Sequence, residues 1–473
     1  MNSHITARAA PLRAHPVDPD HFLLGNLKPF AADILGYLEQ VSQISSFTSM
    51  RFLRTPVYFI TDAGLVNEVL SNKSQAFVRN RSFARRLRRL FGKGLLTSEG
   101  DEWKTLRRLS APAFQPKSTH TYIPIILDEL EILMNEWQGR DRVNISKAMS
   151  RITARVITRC VFGMHLEMNS ADMERCMDNL MAALAPRLRF PIYTPDWLPV
   201  GGNAAYRRAV QQLDQLIYTN IQRKHLEALH PQPSLLTDLV QASQQHGLID
   251  DTHLRDQIVT LFLAGHETTA STLTFCFILL AQHPHIAQRV QDEVLRVDLA
   301  RLDSLAAIRE SLPQTYRVVQ ETLRLYPAGY VFGRTVVQDV ELGAEAIKSK
   351  SLVLISPYIS HRNAEVFPEP HRFNPDRWQN LEVPRSQYLP FSAGARTCIG
   401  EHLAMLEACL ILAGVCARFQ VQCGTEKIKV QPAITLRPVN NTDATLQPLQ
   451  SAEAAIPPSH SSPDSGADPH RYP

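Results

Sequence analysis

The stretch "FSAGARTCIG", Phe391 to Gly400, sets one cysteine among small side chains at the head of an apolar run. Gly394 and Gly400 permit tight backbone turns, and the run from Gly400 to Phe419 reads as a helix. Amides in the first turn of a helix have no acceptor within it, so they favour a nearby anion, and a thiolate at Cys398 would gain from them. The small neighbours let a flat, bulky partner approach, and Arg396 offers a planar fork to a carboxylate. A lone thiolate with no second Cys or His at ligand spacing is poor zinc chemistry. It suits iron whose other ligands come from a macrocycle. The competing reading is a structural cysteine buried ahead of a helix.

The remainder of the chain narrows the class. Its 473 residues, 44% hydrophobic and 20% charged, have the composition of a soluble globular protein with ample core. A formal charge of +4 says little about partners, and no basic module interleaved with aromatics supports nucleic-acid binding. Seven cysteines without C-x-x-C spacing fit a reducing compartment with mostly inert thiols. No apolar h-region opens the chain, and no apolar run approaches the roughly 20 residues of a membrane span. A soluble, cytoplasmic protein is expected. Residues 1–20 read as a flexible arm, 21–445 as one large domain, and 446–473, rich in Pro, Ser and Asp, as a disordered tail. Helical patterns dominate the domain. Short strands are expected in "RFLRTPVYFITDAG" and around Thr335–Leu342, Ser351–Ile355 and Ile428–Thr435, which gives a mainly α fold with a small β portion.

Two further stretches bear on chemistry. "LFLAGHETTAST", Leu261 to Thr272, lies in a pattern apolar on nearly every face, so its polar insertion is costly. Gly265 weakens a helix interior, Thr268 can bond back to a carbonyl one turn earlier, and a buried Glu267 needs a partner or a raised pKa. This reads either as close packing with a satisfied polar pair or as a local opening where a carboxyl and a hydroxyl relay protons. In "QETLRLYP", Glu321 and Arg324 share a helical face, as ordinary surface pairs do. Arg377, in the proline-rich "FPEPHRFNPDRW", could fold back onto Glu321.

Together these stretches resemble one family. "FSAGARTCIG" matches F-x-x-G-x-R-x-C-x-G at every fixed position, the pattern of the cytochrome P450 haem-thiolate enzymes. "AGHETT", "ETLR" and "GDEWKTLRRLSAPAF", with Trp103 and Arg107, are similar to the family's other motifs in the same order. The likeness runs from about Phe22 to Pro438. It implies the cytochrome P450 fold, with haem b (iron protoporphyrin IX) between the long central helix and the Cys-loop helix. Cys398 would be the axial iron ligand. Arg396, Trp103, Arg107 and Arg334 would reach the haem propionates, and Phe391 and Gly400 would contact the cofactor as fixed members of the pattern. Glu267 and Thr268 would deliver protons, with Ala264 and Gly265 leaving room for dioxygen and substrate. Glu321, Arg324 and Arg377 would form a structural charge network.

The activity implied is insertion of one oxygen atom from dioxygen into a C–H or C=C bond of a lipophilic molecule such as a terpenoid, fatty acid or polyketide. The alternatives are a peroxygenase or isomerase that needs no electron donor, and a haem-thiolate protein that only binds a ligand. Electrons would come from a separate ferredoxin or flavodoxin with its reductase, and NADPH or NADH would act only through that partner. Lys104 and Arg108 are candidates for its docking, and a monomer is expected. Ala264, Gly329 and Val331 are the expected haem-side substrate contacts, with Phe83, Leu87 and Phe91 as further ones. The basic stretch Phe77–Gly94 is either a surface for an anionic group or a membrane, or a solvated helix face with Phe83, Leu87, Leu90 and Phe91 packed inward.

Overall fold

Asp250, whose carboxylate accepts from His253 N, caps a helix of 32 residues, Asp251–Gln282, which ends where Pro284 opens the next. In this computed structural model, which describes residues 12–163, 202–226, 234–246 and 250–449 and isolated positions between 164 and 201, that helix is the axis of the molecule. It is buried over almost its whole length, as an all-round apolar pattern demands. Ile145–Phe162 packs on it most extensively, and Asn203–Leu226, Pro313–Leu325 and Glu401–Cys416 also lie against it. Helices thus dominate, as the sequence implies. Most of residues 171–184, which carry one of the helical patterns, fall outside the described residues.

The β portion is small. One sheet has six strands in the order His15–Pro16, Phe47–Phe52, Thr55–Ile60, Leu352–Ile355, Phe332–Val336 and Phe77–Arg79. The edge pairing is antiparallel and sets Arg79 directly opposite Arg334. Two of the sequence boundaries need correction here. Residues 12–20, read as part of a flexible arm, are pinned: His15 and Pro16 pair with Thr48 and Ser49, and Leu12 O accepts from Ala344 N at 2.8 Å. The tail assigned from 446 begins later, because Asp443–Pro448 forms a strand with Phe419–Gln422 and Leu449 N donates to Arg418 O.

The basic stretch folds as a helix, Arg81–Phe91, capped by the Asn80 side chain. Leu87, Leu90 and Phe91 are buried in the core, but Phe83, expected to pack inward, is 42% exposed. Its position in the first turn lies beyond the core that the last turn reaches. Gly92, at φ +49°, leaves no room for a side chain, since a Cβ would meet the Asp256 carboxylate at 1.9 Å. Asp256 accepts from Lys93 N at 2.6 Å and pairs with Arg255, which also bonds Asp214 and Leu90 O. These buried charges fasten the helix end to the central helix.

Glu407, midway along Glu401–Cys416, is buried, and its Oε1 has no hydrogen-bond partner among the described residues. Burial pushes its carboxyl well above 4.5. The folded protein therefore holds a proton that the unfolded chain releases above about pH 4.5. This contribution to stability is intact below that pH and declines as pH rises towards the raised pKa. Glu407→Gln should remove the decline. Thermal melts are expected to show the variant gaining on the wild type as pH increases from 5 to 8; a constant difference would contradict the assignment.

Candidate active site

Cys398 sits on a loop that the fold holds from both sides. Gly394 has φ +69°, and a Cβ on it would lie 1.9 Å from Leu70 O, so only glycine fits against the turn Glu68–Asn72. Cys398 N donates to Phe391 O at 2.9 Å, which closes the loop just before the helix Glu401–Cys416 begins. Cys160, Cys276, Cys409 and Cys416 are buried, whereas the Cys398 thiol is enclosed by protein yet accessible. Enclosure raises its pKa and Glu401 adds to this, while the Gly400 N–H, Arg107 and Arg79 act in the opposite direction without reversing the shift. The sulfur is reachable and faces donors and cations, which would support it as a thiolate once a metal binds it.

Beside it lies a concentration of positive charge. Arg396 is two residues from the thiol, stacks 3.9 Å over the Trp103 ring, donates to Ser98 O and pairs with Glu99. Arg107 Nη1 donates to Thr397 O at 2.8 Å. Arg334 is only 7% exposed, and burial together with Arg79 and Arg396 lowers its pKa to about 9. Burial and Arg79 likewise bring Arg396 to about 10. Arg79 Nε is buried with no acceptor among the described residues, although Arg79 N donates to Glu99 at 2.9 Å. Arg79, Arg334 and Arg396 thus gather about the carboxylate of Glu99, with the Arg107 guanidinium as a fourth positive charge beside Arg79 and Arg396. Such a cluster calls for further anionic oxygens, and two propionates supply that chemistry. The residues present fit haem.

The central helix shows one opening. Ala264 is exposed and Thr268 half-buried in a helix otherwise closed, and at i and i+4 they share a face. Thr268 Oγ1 donates to Ala264 O at 2.6 Å. Gly265 has a different use from the one expected: a Cβ there would meet Ile157 Cδ1 at 3.0 Å, so its missing side chain serves helix packing. Glu267 also turns elsewhere. It is buried, accepts from Thr435 Oγ1 at 2.6 Å and pairs with Arg437. Glu267 and Thr268 are adjacent in the chain but not hydrogen-bonded to each other. Tyr330 OH donates to Ala433 O, tying the segment with Gly329 and Val331 to the turn that carries Thr435. Gly329 is exposed and Val331 half-buried.

Behind the loop lies the charge network. Glu321 and Arg324 are both fully buried and pair bidentately at 2.9 Å. Arg377 Nε and Trp378 Nε1 each donate to Glu321 at 3.0 Å. Arg324 also donates to His361 O, Pro370 O and Arg372 O. His361 Nε2 accepts from Leu389 N at 2.7 Å, two residues before the cysteine loop. Burial lowers the His361 pKa to about 3, which keeps that acceptor unprotonated.

Sequence reasoning missed Arg79 as part of the cation cluster, Glu99 as its counter-charge, and Arg437 as the partner of Glu267. Arg79 stood in a basic run and its partner 255 residues on; only the strand pairing brings them together. Lys104 and Arg108 are exposed on the helix that carries Trp103, and Lys104 is paired with Asp101.

Comparison with known proteins adds the family. The model of the family described as Cytochrome P450 matches residues 16–442. Cyclooctatin synthase of Streptomyces melanosporofaciens is 32% identical, over 89% of this chain and 93% of its own length. The same organism's cyclooctat-9-en-7-ol 5-monooxygenase is 32% identical over 85% and 88%, respectively. Pentalenene oxygenase of Streptomyces avermitilis is 27% identical over 86% and 89%. No helix among the described residues is long and apolar enough to cross a membrane.

Proposed function

The chain belongs to the cytochrome P450 family and is a haem-thiolate monooxygenase, and from that premise we propose that it oxygenates a terpenoid. The accessible Cys398 thiol beside four guanidiniums and one carboxylate carries the assignment of the cofactor site. Cys398 would ligate the haem iron, Arg79, Arg107, Arg334 and Arg396 would hold the propionates, and Trp103 would back Arg396. Bound there, haem supplies activation of dioxygen and oxidation of the substrate, while the protein supplies orientation, protons and exclusion of water. The overall change takes one substrate C–H, one dioxygen, two electrons and two protons to one hydroxylated product and one water.

The proton path follows from the central helix. Thr268 Oγ1 spends its own proton on Ala264 O, so its lone pairs are left to accept from a water on the open face. Glu267 is held by Arg437, which is 40% exposed, so this carboxylate meets solvent through that guanidinium. It carries protons inward only when it exchanges Arg437 for water. Thr268→Ala removes the acceptor. NADPH consumption should then continue while product falls about tenfold or more and hydrogen peroxide rises; wild-type coupling would exclude the role.

A terpenoid is favoured by the names of the relatives, two of them monooxygenase and oxygenase, and by the small and apolar side chains of Ala264 and Val331, neither of them buried. The electron donor is a separate ferredoxin or flavodoxin with its reductase. The test supplies NADPH, a surrogate ferredoxin pair and a terpenoid panel under isotopically labelled dioxygen. One labelled oxygen in the product supports the reading. Turnover only with peroxide would make the chain a peroxygenase, and ligand binding without turnover a carrier.

A further inference from the structure

The helix Arg81–Phe91 contains five arginines and no acidic residue. Its inner face is occupied by Leu87, Leu90 and Phe91 in the core. Arg81, Arg85 and Arg88 recur at the spacing of one outer face, and all three are exposed. Among the described residues none of the three guanidiniums has a hydrogen-bond or ion-pair partner. Local stability does not account for this row. Arg81 stands at the positive end of the helix dipole, and like charges four residues apart repel. Elsewhere the chain sets acids against surface arginines, as in Arg289–Asp376, Arg385–Glu401 and Arg418–Glu131. Arg81, Ser82 and Phe83 of the first turn are all exposed, Phe83 standing 42% exposed two residues from Arg81. At the other end, Gly92 and the Lys93–Asp256 bond fix the helix to the core, so this charge is presented on a rigid element.

We propose that this helix is an attachment surface for an anionic lipid membrane. Arg81, Arg85 and Arg88 face headgroup phosphates, and Phe83 enters the interface at the helix tip. The choice of a lipid surface over an acidic protein rests on the lipophilic-substrate reading above, because a membrane is the phase in which such a substrate collects. An exposed aromatic ring among arginines also suits the boundary between headgroups and acyl chains. Each guanidinium near an anionic surface contributes about fivefold in affinity, so the three contribute on the order of a hundredfold.

Co-sedimentation of the haem-loaded full chain with vesicles tests this directly. Vesicles containing phosphatidylglycerol should bind it at least tenfold more tightly than phosphatidylcholine alone, and high salt should abolish the preference. Arg81→Gln/Arg85→Gln/Arg88→Gln should lose about a hundredfold, and Arg85→Gln alone about fivefold, with the haem spectrum unchanged. Phe83→Ser should weaken binding without altering its salt dependence. Equal binding to both vesicles, or a triple variant that binds like the wild type, overturns the proposal. So does absent vesicle binding with arginine-dependent binding to a purified acidic ferredoxin, which would make the row a protein-docking site. Sedimentation needs no turnover, so the two readings fail separately. Vesicle binding without terpenoid oxidation sinks the substrate assignment, and oxidation without binding sinks the surface.

Discussion

Arg324→Ala is expected to yield no haem-loaded protein and a chain without a cooperative melt. Arg324 is fully buried and donates five hydrogen bonds, two to Glu321 and three to carbonyl oxygens. Its loss leaves Glu321 facing only Arg377, Trp378 and Asn374 N, takes the Arg324 donor from His361 O and Pro370 O, and leaves Arg372 O to Arg377 alone. Breaking a buried pair in this way costs about 3–5 kcal/mol, a large share of the roughly 5–15 kcal/mol that holds a folded domain together. The damage should spread along a definite route. His361 O loses a donor, its ring Nε2 holds Leu389 N, and Leu389 opens the loop that carries Cys398. Arg324→Lys should fare little better, since an ammonium cannot reproduce the planar fork. Denaturant melts and haem content of the purified variants check this. A variant that folds and binds haem as the wild type does would make Glu321–Arg324 an ordinary ion pair.

Cys398→Ser should leave the fold intact and remove the chemistry. A serine hydroxyl fits the same space and can keep the loop, whose backbone bonds run through Cys398 N and Phe391 O. It is not ionised at neutral pH, so it cannot give iron the electron density of a thiolate. The other cysteines offer no substitute, since burial raises the pKa of Cys276 and Cys416 to about 12 and that of Cys409 well above its ordinary value. The thiolate-type spectrum should vanish completely and dioxygen-dependent turnover should fall to background. If either survives in a variant with wild-type circular dichroism, the ligand lies elsewhere.

The parts that sequence alone discloses are those governed by local rules. The central helix is legible because an unbroken apolar pattern cannot be accommodated except in the interior, and the cysteine loop because glycine, arginine and thiol occupy a short fixed spacing. Arg377 is only a possibility from sequence, since it stands 56 residues beyond Glu321, across two strands of the main sheet. What sequence conceals is set by contacts between distant segments. Arg79 looks like one more cation in a basic run until the strand pairing sets it opposite Arg334. Glu267 looks like the neighbour of Thr268, but helical geometry sends consecutive side chains about 100° apart and aims this one at Arg437. Gly265 seems to clear space for a ligand, and Ile157 from another helix takes it. The ends are hidden from sequence because composition reports the average of a segment, while Leu12 and Leu449 are held by backbone bonds to distant residues.

The most direct test of Cys398 as thiolate ligand beside an open site is the carbon monoxide difference spectrum of the dithionite-reduced wild-type protein. The strongly red-shifted Soret band from which the family takes its name is the expected result. A band at the position of ordinary haem–carbonyl complexes in the folded protein, or no haem band after haem supplementation, would contradict it.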